Sequence, residues 1–167
     1  MKHFGIAGWS GSGKTTLLFR LIPALVCRGI RVATVKHTHH APHFGDDEMR
    51  ALAASGAVET VVAGAERWAL AHELPPGGEP ALAALAAKVA GADLLLVEGF
   101  KFSPHAKLEV FDPSLGKRPL APDDPSVVAI ACDQPLPGCG LPVFARGDIE
   151  GIAGFITRYC RPVTAAD

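Results

Sequence analysis

Gly8-Trp9-Ser10-Gly11-Ser12-Gly13-Lys14-Thr15 satisfies G-x-x-x-x-G-K-[ST] at every fixed position. Ahead of it, His3-Phe4-Gly5-Ile6-Ala7 reads as a buried strand. Behind it, Lys14 to Arg28 reads as a helix with Leu17, Leu18, Leu21 and Leu25 on one face. Strand, glycine-rich loop and helix form the context in which this motif captures phosphate. The loop lets successive backbone N–H groups point inward, and the helix N-terminus adds the positive end of its dipole. A chance Gly/Ser-rich turn would not place all the fixed positions between those two elements.

Each residue of the loop then has an expected task. Gly8, Ser10, Gly11, Ser12 and Gly13 form the cradle, and Lys14 reaches the β- and γ-phosphate oxygens as a point charge. The Thr15 hydroxyl is a hard oxygen ligand suited to nucleotide-bound Mg²⁺, and Thr16 lies near the α-phosphate. The motif points to a nucleoside triphosphate and leaves the use made of it open.

Outward from the loop, Pro23 falls inside the first helix, where a bend is expected, and Gly29 ends it. Ile30 to Lys36 follows as a β-rich run, so strand, helix and strand imply a right-handed parallel crossover and an α/β fold. Asp46 to Ser55 reads as a helix, Val58 to Val62 and Arg67 to Ala71 as strands. An Ala-rich helix with Leu82, Leu85 and Val89 on one face precedes Gly91. Leu94 to Val97 is a continuous apolar strand of the kind buried in a parallel sheet, and Lys107 to Phe111 and Ser126 to Cys132 are further strands. A last helix runs from Asp148, its N-cap, to Tyr159, with Ile149, Ile152, Phe155 and Ile156 inward. The expectation is a single P-loop NTPase domain over residues 1–162, a mostly parallel twisted sheet flanked by helices, with a loose tail at 163–167.

Composition excludes several partners. The chain has 167 residues, 49% hydrophobic and 20% charged, which suits a substantial core. A net charge of −1 without a basic cluster offers no field for nucleic acid or an anionic membrane. No apolar run is long enough to span a bilayer and no signal pattern opens the chain, so a cytoplasmic protein is expected. Cys27, Cys132, Cys139 and Cys160 form no C-x-x-C pair and are expected to be reduced, with Cys27 and Cys132 as small apolar fillers.

Asp93-Leu94-Leu95-Leu96-Val97-Glu98-Gly99 has the shape of a Walker B element. Four apolar residues carry Glu98 to the carboxyl end of a strand beside the phosphate loop, where it is the second candidate for holding Mg²⁺. Asp93, at the other end, reads as a turn residue. Lys36-His37-Thr38-His39-His40-Ala41-Pro42-His43 leaves the second strand toward the same crevice. Imidazoles could hold a transition metal there, but the plainer reading has Lys36 and His37 contacting phosphate or substrate and the other histidines exposed.

Taken in order, GWSGSGKTTL from Gly8, VKHTHH from Val35, Asp46-Asp47-x-x-Arg50 and DLLLVEGFK from Asp93 to Lys101 resemble the molybdopterin-guanine dinucleotide biosynthesis adapter family, MobB. Lys107-Leu108-Glu109-Val110, Ala129-Ile130-Ala131-Cys132-Asp133, Leu141-Pro142-Val143-Phe144 and Asp148-Ile149-Glu150-Gly151-Ile152 extend the resemblance over almost the whole chain. It implies a homodimer that binds GTP with Mg²⁺, is at most a slow GTPase, and assists a MobA-like guanylyltransferase in attaching GMP to molybdopterin. It also implies a water-positioning or metal-side role for Asp46 or Asp47, and Asp47 with its spacing to Arg50 matches better. Lys36, His37 and Lys101 would serve substrate or partner. The loop from Ala41 to Asp47 is shorter than the family pattern and lacks its Pro-Gly step, and the Asn-Lys-x-Asp signature of regulatory GTPases is absent. Asp133, at a strand end, is either an acceptor for the guanine N1 and N2 donors or an ordinary turn acid.

Two other functions fit parts of the sequence. A metallochaperone GTPase would use the histidine loop as its cargo site, and a small-molecule kinase or ATP-dependent ligase would share the phosphate loop and the Val-Glu-Gly step. No arginine stands next to either motif to neutralise a transferring phosphoryl group.

Overall fold

The computed structural model describes residues 1–38, 47–75, 78 and 80–160. Among them the chain divides into two compact units, one drawn from Met1–His37 and the part from Leu82 onward, the other from Thr38–Ala81.

In the larger unit the elements are β1 (Lys2–Ala7), α1 (Lys14–Val26), β2 (Val32–Lys36), α3 (Leu82–Lys88), β5 (Leu94–Glu98), β6 (Lys107–Val110), β7 (Val127–Ala131), β8 (Val143–Phe144) and α4 (Ile149–Tyr159). Six strands pair in the order β2-β5-β1-β6-β7-β8, every neighbour parallel. The fold class read from the sequence is the one observed. From β1 the chain crosses β5's position to reach β2 on one side, whereas from β5 it crosses β1 to reach β6 on the other. The carboxyl ends around β1 are therefore the topological switch point, where a parallel sheet opens a crevice for ligands.

Burial explains why these strands are so apolar. Leu94 through Val97 and Phe4, Ile6 and Ala7 are covered on both faces, as central strands of a parallel sheet must be. On one face Leu17, Leu18, Leu21 and Leu25 of α1 pack with Ile152, Ala153 and Ile156 of α4 against β1, β5 and β6. Each such fully buried aliphatic side chain stabilises the fold by about 1.5–3 kcal/mol. Asp148 caps α4 as expected, its Oδ1 accepting from Gly151 N at 3.0 Å.

Three local readings are corrected. Helix α1 stops at Val26, and Cys27 is exposed rather than a packed filler, because the leucine stripe ends at Leu25. The short parallel strand β8 has no counterpart in the sequence reading, two residues being too few to show a period. Lys107, read as an ordinary strand residue, is fully buried and donates to the Lys101 and Ser103 carbonyls and to Asp124 at 2.9 Å. Glu109, two residues on and hence on the same face of β6, accepts from Leu120 N and Ala121 N. These two charges tie down the segment from 112 to 125.

The smaller unit has α2 (Asp47–Ala54) and an antiparallel hairpin of β3 (Glu59–Ala63) and β4 (Trp68–His72). Its register places Val61 opposite Leu70 and Ala63 opposite Trp68 on one face, which is exposed. No helix among the described residues is long and apolar enough to cross a membrane.

Candidate functional site

Strand β1 delivers the chain at Ala7 into a loop whose backbone only glycine can follow. Gly8 has φ 142°, and a Cβ there would run into the Val110 carbonyl and the Ser12 hydroxyl. Gly13, the N-cap of α1, is left-handed at φ 95°. The loop closes on itself through Ser12 N, which donates to Trp9 O at 3.2 Å, and through Lys14 Nζ, which donates to the same carbonyl at 2.8 Å. The N–H groups of the first turn of α1 have no intrahelical acceptor. The buried Ser12 hydroxyl likewise has no partner. A cradle with unfilled donors and a lysine folded across it fits the phosphates of a nucleotide.

The second group of side chains gathers at the carboxyl ends of β2 and β5. Register aligns Ile6 of β1, Glu98 of β5 and Lys36 of β2 in one row. There the buried Glu98 Oε1 accepts from the Thr15 hydroxyl at 2.5 Å and faces Lys36 Nζ at 3.4 Å, while Lys36 Nζ donates to Thr15 Oγ1 at 3.2 Å. Two hard oxygens side by side, with an ammonium bridging them, fit a divalent cation such as Mg²⁺. Burial pushes the Lys14 ammonium pKa down; Glu98 opposes that shift, and the like charges of Lys101 and Lys36 add to it.

Around this centre the turn after β5 is shaped by contacts with β2. His37 N donates to Glu98 O at 2.9 Å, and the His37 ring lies 4.8 Å from that of Phe100, a non-glycine residue at φ 45°. Lys101 Nζ sits 4.2 Å above the Trp9 ring at the loop's outer edge. Trp9 in turn donates through Nε1 to Arg118 O at 2.8 Å, so the segment from 112 to 125 leans on the phosphate loop. Asp93 stands at the far end of β5 and pairs with Arg31 at 2.7 Å, which holds its carboxyl down at about 2 through hydrogen bonds from the guanidinium and the Arg31 N–H.

Beside the loop, on the α1 side, lies a cleft of about 560 Å³ bounded by Gly13, Thr16 and Arg20 and, across from them, by Asp133 and Ala145 to Gly147. Asp133 accepts from Arg146 N and Arg146 Nε, both at 2.7 Å, and these bonds lower its carboxyl pKa. Arg146 also donates through Nη1 to Asp112 at 2.8 Å. The sequence shows no arginine next to either motif, but the fold brings Arg20 and Arg146 to the loop's flank. Arg146 follows the two-residue strand β8, which left no pattern from which its position could be read.

The structure thus brings together Lys14, Thr15, Lys36 and Glu98, with His37 and Lys101 adjacent and Asp133 across the cleft. Asp47 is a backbone position at the start of α2 in the smaller unit, and its side chain lies outside the described residues, as do Asp46, His39, His40 and His43. Among the described residues no three His, Cys, Asp or Glu side chains converge on a metal-sized space.

The family model described as molybdopterin guanine dinucleotide synthesis protein B matches residues 3–133. The chain is 43% identical over 159 residues to the molybdopterin-guanine dinucleotide biosynthesis adapter protein of Escherichia coli (strain K12), covering 92% of this chain and 90% of that protein. It is 41% identical over 135 residues to the adapter protein of the same description from Haemophilus influenzae (strain ATCC 51907 / DSM 11121 / KW20 / Rd), covering 79% and 75%. A crystal structure of molybdopterin-guanine biosynthesis protein B superposes with a TM-score of 0.75 at 27% identity, covering 96% of this chain and 99% of that one.

Proposed function

This chain belongs to the molybdopterin guanine dinucleotide synthesis protein B family, and we propose that it serves there as a GTP-binding adapter with weak GTPase activity, assisting a guanylyltransferase that attaches GMP to molybdopterin. The observation that carries the nucleotide reading is the Thr15–Glu98 contact at 2.5 Å, set against a loop with unfilled donors.

The triphosphate lies along the loop from Gly8 to Gly13, held by backbone N–H groups, with Lys14 released from Trp9 O to meet phosphate oxygens. Thr15 and Glu98 hold Mg²⁺, which supplies charge neutralisation at the phosphate oxygens when bound. Lys36 then shifts off the two oxygens it bridges, its side chain being half exposed and free to swing toward solvent. Thr16 meets the α-phosphate, and the base enters the cleft where Asp133 stands. Lys36, His37 and Lys101 serve the partner rather than the nucleotide, and Asp47 keeps the water-positioning role on the family pattern alone. Hydrolysis by the isolated chain is slow: Arg146 is engaged by two carboxylates, and a lysine offers a point charge without a planar fork.

The chain acts as a homodimer. The apolar face of the β3–β4 hairpin, with Val61, Leu70 and Trp68 exposed, supports a second copy as its cover, since adjoining exposed apolar side chains mark association surfaces. The test is a reconstituted guanylyltransferase reaction with molybdopterin at limiting GTP. Adding this protein should raise dinucleotide formation, and Lys36→Ala and His37→Ala should lose that gain while keeping GTP affinity. Fast turnover without a partner, or no effect on the transferase, would overturn the adapter reading.

A further inference from the structure

We propose that Arg146 is the platform for the nucleotide base, its guanidinium plane stacking on the purine in the cleft beside the phosphate loop. This rests on the nucleotide reading above and assigns it a residue that neither motif contains. The cleft begins at Gly13 and Thr16, where a triphosphate leaves the loop, and its volume of about 560 Å³ lies within the range that holds a drug-sized ligand. Leu17 and Val110 give it apolar lining, and a planar base needs apolar or π contact on its faces.

The guanidinium is held before any ligand arrives. Nε donates to Asp133 Oδ2 at 2.7 Å and Nη1 to Asp112 Oδ2 at 2.8 Å, while the Arg146 N–H donates to Asp133 Oδ1 at 2.7 Å. Asp112 is itself fixed, since it accepts from Ser114 N at 3.0 Å and from the Ser114 hydroxyl at 2.7 Å. Guanidinium N–H groups bond only in their own plane, so the two carboxylates occupy in-plane directions on two of the three nitrogens. What is left of the guanidinium is its faces, the second N–H of Nη1 and Nη2. A guanidinium face is a surface on which nucleobases stack. The fork is clamped by acids from the ends of two different strands, and the Arg146–Asp112 pair is partly buried. It is well explained as a platform whose ordering cost is met in advance. Asp133 is then a positioning residue for Arg146.

Calorimetry on the full chain with GTP, 2-aminopurine riboside triphosphate and inorganic tripolyphosphate tests this, using Arg146→Ala and Arg146→Lys. Stacking predicts that both variants lose roughly 5- to 100-fold in affinity for GTP and, by the same factor, for the 2-aminopurine analogue. Tripolyphosphate affinity should be unchanged in both. Unchanged GTP affinity would overturn the proposal, and so would an equal loss for tripolyphosphate, which would mark a structural role. A loss for GTP alone would also overturn it, since that would mark an edge contact to the guanine O6. If the unaltered protein binds tripolyphosphate but no nucleotide, the nucleotide reading itself fails.

Discussion

The Thr15 hydroxyl donates to the buried Glu98 carboxylate across 2.5 Å, although 83 residues separate them in the chain. Both oxygens are hard ligands, and Lys36 Nζ stands 3.2 Å from one and 3.4 Å from the other. Glu98→Gln keeps an acceptor for Thr15 and removes the negative charge. Nucleotide affinity in EDTA should change by less than about 3-fold, whereas the gain in affinity and hydrolysis on adding Mg²⁺ should fall by about 10-fold or more, one lost charged ligand costing on the order of 1.5–3 kcal/mol. Equal Mg²⁺ dependence in the two proteins, measured by calorimetry and phosphate release, would remove Glu98 from the site.

Lys14→Ala should abolish triphosphate binding and leave the melting temperature unchanged or slightly raised. Burial lowers the Lys14 pKa, so at neutral pH the folded state carries a charge it disfavours relative to the unfolded chain, and removing it relieves that cost. A fall of several degrees in thermal unfolding would mean that Lys14 supports the loop itself.

Stability should decline as pH falls through the range set by His105. Its ring is buried with neither nitrogen partnered, and burial, followed by Lys107 and His3, pushes its pKa down to about 4. The unfolded imidazole takes its proton near the ordinary value of about 6.5, so between those limits the unfolded state binds more protons. One such group contributes a slope of at most about 1.4 kcal/mol per pH unit, with stability rising as pH rises. Asp112, Asp124 and Asp133 have carboxyls lowered below the usual range and act at still lower pH. Denaturant unfolding of His105→Gln from pH 7 to 4.5 should show a flatter profile than the unaltered chain, and superimposable slopes would sink the assignment.

Lys107→Met should destabilise the chain by about 3 kcal/mol, near the lower end for breaking a buried pair because Asp124 is partly exposed. The substitution leaves Asp124 and two carbonyls without their donor. Because those carbonyls belong to Lys101 and Ser103, the loss should also loosen the turn that sets Lys101 over Trp9. A parallel drop in Trp9 fluorescence anisotropy decay time, read in a Trp68→Phe background because the chain has two tryptophans, is the accompanying readout, and an unchanged unfolding midpoint would contradict the assignment.

The phosphate loop, the strand before it, the helix after it and the apolar run that ends in Glu98 were legible because each is encoded within about a dozen neighbouring residues. Glycine spacing, a 3.6-residue leucine stripe and an uninterrupted aliphatic run are local signals. Even the meeting of Thr15 with Glu98 was within reach, since parallel α/β sheets collect their carboxyl ends at a switch point. Arg146 was not, because two residues of β8 carry no period and its partners Asp112 and Asp133 arrive from the ends of β6 and β7. The burial of Lys107 was hidden for a related reason: its face of β6 is covered by a loop that has no regular pattern.

What the sequence alone determined is therefore the course of the loop between β1 and α1 and the class of the fold, since both follow from local backbone preferences and short-range periodicity. Tertiary structure alone decided which distant charges share a site. Lys36 bridges Thr15 and Glu98 only through the register of β2, β5 and β1, and Arg146 reaches the cleft only through the order β6-β7-β8. Strand order and register are set by the packing of the whole sheet against α1 and α4, a balance of many weak contacts that no single stretch of residues contains.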